Sequence, residues 1–240
     1  MASDTQTRPR PFAAGQPWPP NDTEESVVGT DWHQTTITNL RWGINEAARV
    51  GLRPGQPAPW QALSQIILLG GRRPDGSYYR TLPDVFVYPR PINPQRSSLT
   101  VEVDGPPVLI VEVLSESTYE ADLDLVSGKG YSYARAGVRE YVALDFEGQF
   151  LPQGIQGWRL VDGVYQPWPL EADGRWHSAE TGVAIGLEGI WATVYTREGQ
   201  RILREGEVEE ERARLQTEVA QRDAEVARLR RLLHDQKEHE

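Results

Sequence analysis

The chain has 240 residues, 38% of them hydrophobic, a formal net charge of −10 and no cysteine. That length and apolar share accommodate one sizeable domain with extensions. The missing cysteine excludes disulfides, thiolate metal sites and cysteine nucleophiles, so any metal must be held by oxygen or by one of four histidines.

Residues 1 to 25 are rich in proline, threonine and glycine without periodicity and read as a flexible N-terminal arm. From Asp31 to about Val50, the apolar positions Ile37, Leu40, Trp42, Ile44 and Ala47 predict a helix. The runs SQIILLGG, YYRTLPDVFVYP, SLTVEV and PPVLIVEVLS, divided by glycine and proline, predict strands of one sheet with hairpin links. The segment DLDLVSGKGYSYARAG predicts a second helix stopping at Gly137, with VREYVALD as the strand after it. Helix, strands, helix, strand is the order of a mixed α/β sheet with helices packed on it. Between Gln156 and about Tyr195, further strands and turns read as an accessory hairpin with a closing segment, and His177 falls in a loop.

The tail is of another kind. With Val208, Leu215, Arg222 and Leu229 at d and Arg212, Val219, Val226 and Leu233 at a, residues 204 to 237 lay out heptads. Valine at a with leucine at d favours a two-stranded parallel coiled coil, hence a homodimer, although two arginines interrupt the seam. The alternative is a solvated helix folded back on the body. No signal-peptide pattern and no run of eighteen apolar residues occur, which predicts a cytoplasmic protein without membrane attachment.

Two carboxylates stand where their neighbours are apolar. Asp84 opens DVFVY, and Glu112 sits in the middle of VLIVEVL. Strand alternation places Glu112 with Ile110 and Leu114 on one face and Val111 with Val113 on the other. An unpaired buried carboxylate costs several kcal/mol, so Glu112 needs a metal, a cation or a raised pKa, unless it faces water on an edge strand. Two carboxylates on neighbouring strands make a hard oxygen site suited to Mg2+ or Mn2+.

The chain has only two lysines, Lys129 and Lys237, against 23 arginines. Lys129 follows the Glu112 strand closely enough to reach the same site, where its ammonium would orient water and stabilise charge on phosphorus, or its free amine would deprotonate the water. Arginine cannot serve as a base. Chance is the competing explanation for a lone lysine. Tyr133, four residues on, shares its helical face and is either a neighbour in the site or a core aromatic. Asp122 and Asp124 read as caps of the Lys129 helix.

The ordered set PDVFV, PPVLIVEVLSEST, K-x-x-x-Y and YARAGVREYVALD resembles the Uma-two family of restriction-endonuclease-like proteins, a branch of the PD-(D/E)xK nucleases. The resemblance runs from about His33 to Tyr195. It implies a restriction-endonuclease-like domain over residues 26 to 200: a mixed central sheet flanked by helices, followed by the coiled-coil helix. It also implies that Asp84 and Glu112 are metal ligands and catalytic residues. Leu114 occupies the place of the motif's lysine, and Lys129 matches a lysine displaced to the next helix. His33 matches a histidine at the family's first helix and is either an active-site neighbour or structural. The expected function is that of a Mg2+- or Mn2+-dependent endodeoxyribonuclease with DNA as substrate. The competing expectation is a catalytically silent module that recruits partners through its coil. From Arg204 the tail holds 8 basic and 11 acidic residues, leaving 17 against 24 before it, a balance that opposes DNA binding unless cations bridge it.

Overall fold

The computed structural model describes residues 31–72, 75–93 and 95–237. The expected N-terminal arm, residues 1 to 25, lies outside the described residues. The chain divides into two compact units, one ending at Ile202 and one beginning at Leu203.

In the first unit, helix α1 (Asp31–Ala47) forms where the apolar spacing predicts it and buries Ile37, Leu40 and Ile44 along one face. Burial of each such side chain contributes about 2 kcal/mol. A mixed six-stranded sheet runs in the order β1 (Gln61–Leu63), β4 (Val85–Tyr88), β6 (Leu109–Val113), β7 (Glu140–Leu144), β8 (Ile155–Val161), β9 (Val164–Trp168). Within this sheet the parallel pair is β6 and β7, with Glu112 opposite Ala143. A parallel pair needs a long crossover, here supplied by α3 (Tyr119–Leu123) and α4 (Lys129–Ala136).

Strands β4, β6 and β7 are buried along their whole length, and their residues alternate between two cores. Leu109, Val111 and Val113 join the core that includes α1. Ile110 and Leu114 join the core that includes Tyr133 and Ala136 of α4. Each side of the sheet carries a three-stranded companion. The α1 core takes in β10 (Trp176–His177), β11 (Ala184–Glu188) and β12 (Trp191–Tyr195), while the α4 core takes in β2 (Ile67–Arg72) and β5 (Ser98–Thr100), with β3 (Tyr78–Thr81) paired to β2.

The single sheet expected from residues 64 to 115 is therefore two. YYRTLPDVFVYP splits at Leu82–Pro83, because proline offers no N–H to a ladder and restrains the residue before it. SLTVEV leaves the sheet at Val101 for one helical turn, α2 (Val101–Asp104). There the Asp104 carboxylate accepts the Thr100 N–H at 2.8 Å, and Gly105 at φ 77° ends the turn. The hairpin β8–β9 extends the central sheet instead of standing apart, and His177 lies in a strand, its ring nitrogen 3.0 Å from Asp173.

The expected helix from Asp122 to Gly137 is interrupted. Asp124 accepts the N–H groups of Val126 at 2.8 Å and Ser127 at 3.0 Å and the Ser127 hydroxyl, so its side chain stabilises a turn in competition with the helix. α4 starts only at Lys129 and stops at Gly137, which takes the left-handed conformation.

The second unit is a helix, α5 (Glu205–Lys237). Pairs such as Arg222–Glu218 at 2.8 Å and Arg228–Glu225 at 3.3 Å support it along its surface. Leu215, Val219, Val226 and Leu229 of its heptad seam are exposed.

Candidate active site

Asp84 stands one residue before β4, and Glu112 is the fourth residue of β6, the strand beside it. The Asp84 N–H donates to Glu112 Oε2 at 3.4 Å, and the Val113 N–H donates to Asp84 Oδ2 at 2.8 Å. The two acidic side chains are thus tied through the backbones of adjacent strands. His33, in the first turn of α1, brings Nε2 to 3.3 Å from Asp84 Oδ2.

Glu112 has no solvent exposure and lies on the α4 side, as strand alternation predicts. Tyr133 donates its hydroxyl to Glu112 Oε1. Lys129 Nζ approaches Oε2 at 3.5 Å. The same ammonium is 3.0 Å from Oδ1 of Asp122, which is also buried. Neither Asp122 carboxylate oxygen has a well-aligned hydrogen bond.

Asp84, Glu112 and Lys129 therefore meet at one end of the sheet, with His33 and Tyr133 touching the two carboxylates. Glu112 forms the floor of this cluster, while Asp84 and Lys129 keep side-chain exposures of 19% and 16%. Asp122 joins the cluster instead of capping the Lys129 helix as its sequence position predicts. The Asp-x-x-Ser-Gly stretch starting at Asp124 was the available signal, since a turn there moves Asp122 off the helix of Lys129 and into α3.

Electrostatics follow from burial. Desolvation pushes the Glu112 carboxyl well above its ordinary range, offset in part by Lys129 and reinforced by Asp84 and Asp122. Asp122 is raised by burial too, again with Lys129 opposing. Burial alone would lower the Lys129 pKa, but Glu112, Asp122 and Asp84 outweigh it and raise the value above that of a free lysine. Lys129 is therefore held as an ammonium. Burial also raises Tyr133, which stays a hydroxyl donor.

The donors fit a hard divalent cation. Asp84 and Glu112 are tied together through neighbouring backbones, and a cation bound there would favour the ionised form of Glu112 that burial disfavours. Among the described residues no three His, Asp or Glu side chains stand in ready metal-holding geometry. Mg2+ does not require them, since it is commonly held by one or two carboxylates with water and phosphate completing the shell. Among the described residues no helix is long and apolar enough to cross a membrane.

No curated protein matches the chain. The family model described as "Uma2: Putative restriction endonuclease" matches residues 24–222, most of the sequence. The chain belongs to the Uma2 family.

Proposed function

We propose that this chain is a Mg2+- or Mn2+-dependent endodeoxyribonuclease, built on a restriction-endonuclease-like sheet, that hydrolyses DNA phosphodiester bonds. One observation carries the reading: two carboxylates, one just before β4 and one on the neighbouring β6, and a partly buried ammonium share a single cluster that reaches solvent through Asp84 and Lys129. Asp84 and Glu112 would hold the ion. When bound, it supplies a polarised phosphate oxygen and a water of lowered pKa.

The remaining groups set up that chemistry. His33 and the Val113 N–H fix Asp84, and Tyr133 fixes Glu112, so neither carboxylate has to be ordered during the reaction. Lys129 acts through its charge: held protonated between carboxylates, it donates to a phosphate oxygen or to the attacking water and stabilises the developing negative charge. This favours the orienting role of the lysine over that of a base.

The test is cleavage of supercoiled and linear DNA by purified protein with Mg2+, Mn2+ or chelator. Nicked or linear product with either ion and none with chelator is expected. A folded protein that leaves both substrates intact with both ions refutes the reading.

A second reading, an assembly module, is favoured by the exposed valine and leucine seam of α5. It is compatible with the first if the seam pairs two copies of a nuclease, and replaces it if cleavage is absent.

A further inference from the structure

We propose that Asp122 is a positioning residue for Lys129, holding the ammonium beside Glu112; this rests on the nuclease reading above. Lysine carries four flexible carbons, and ordering it costs up to about 2 kcal/mol in rotamer freedom. One carboxylate leaves such a side chain free to swing about its contact. Two carboxylates at 3.0 and 3.5 Å, on different elements, define a point.

Asp122 is itself held in place. Its N–H donates to the Thr118 carbonyl at 2.9 Å, and its own carbonyl accepts the Tyr141 hydroxyl at 2.7 Å, which ties α3 to the central sheet. The link to α4 is equally tight. A Cβ at Gly128 would fall 2.3 Å from the Ala121 carbonyl oxygen, so only glycine lets α4 begin this close to α3. Lys129, the next residue, is delivered to Asp122 by that contact. A carboxylate buried to 1% exposure is costly without a partner, and the ammonium is the only cationic group within ion-pair distance of Asp122 among the described residues.

The two-lysine composition supplies a direct test. Full-length protein is treated with limiting acetic anhydride, and acetylation of Lys129 is measured against Lys237 by mass spectrometry, with folding checked by thermal melting. Lys129 is expected to be protected in the parent and to gain about 10-fold in relative labelling in Asp122→Asn. Should Asn not fold, Asp122→Ser is measured in the same way. Unchanged protection in a folded variant overturns the proposal.

Cleavage kinetics separate positioning from a general structural role. Asp122→Asn should lower kcat about 10- to 100-fold with little change in KM. Combined with Lys129→Ala, it should cost no more than Lys129→Ala alone. Fully additive losses would mean that Asp122 acts independently of the lysine and would also overturn the proposal. If the parent cleaves nothing, the nuclease reading fails and the labelling ratio alone decides whether Asp122 positions Lys129.

Discussion

Replacing Lys129 with methionine keeps the aliphatic stem and removes the charge between Glu112 and Asp122. Both carboxylates are almost fully buried, and Lys129 is itself only 16% exposed, so little solvent screening is available to replace it. Breaking a buried pair of this kind costs about 3–5 kcal/mol. The chain can reduce the cost by protonating one carboxylate, at about 1.4 kcal/mol for each unit by which the pH exceeds its pKa. Without the lysine, the folded-state pKa values of Glu112 and Asp122 rise further above their unfolded values. The folded variant then binds more protons than the unfolded chain, so its stability increases as pH falls toward those values and decreases as pH rises through them. Urea denaturation should show a loss of about 3–5 kcal/mol at pH 8 that shrinks by at least about 1 kcal/mol at pH 5.5. Lys237→Met is the control and should stay within about 0.5 kcal/mol of the parent. A loss below about 1 kcal/mol at pH 8, or one independent of pH, would refute the reasoning.

Three other outcomes are expected. Lys129→Arg should retain DNA binding but cleave about 10- to 100-fold more slowly, because a planar guanidinium does not fit the point defined by two carboxylates; parent-like rates in a gel assay would contradict this. Gly128→Ala should lose about 1–3 kcal/mol in chemical denaturation, since its Cβ meets backbone at 2.3 Å, and an unshifted midpoint would show that α3 and α4 separate freely. Deleting residues 204 to 240 should convert a dimer into a monomer in sedimentation, because the exposed seam is the surface we expect to pair; an unchanged mass would assign any dimer to the body.

The legible parts of the sequence were those governed by a single periodicity. Glu112 could be placed on the Ile110 face because a buried strand alternates strictly, and the stop at Gly137 followed from the left-handed conformation that ends a helix. The illegible parts were decided by side chains competing with the backbone. Asp104 and Asp124 capture nearby N–H groups and divert the chain, which turns SLTVEV out of its sheet at Val101 and splits the helix before Lys129. Neither effect has a period, so neither shows in an apolar pattern. Assigning Leu68 and Phe86 to different sheets likewise depended on partners far along the chain, with β2 pairing β5 and β4 pairing β6. Asp84 and Glu112 are legible because each is a charge in an apolar run. Asp122 is not, because Asp124 two residues later gives the segment the pattern of a polar helix start.

The most direct measurement compares the parent with Asp84→Asn and Glu112→Gln, purified side by side, for cleavage of supercoiled DNA in Mg2+ and in Mn2+. The parent should yield nicked or linear product that chelator abolishes, and both amide variants, folded by thermal melting, should lose at least about 100-fold in rate, in line with removal of a metal-assisted step. Equal cleavage by the parent and both variants would show that the activity does not come from this cluster and would contradict the account.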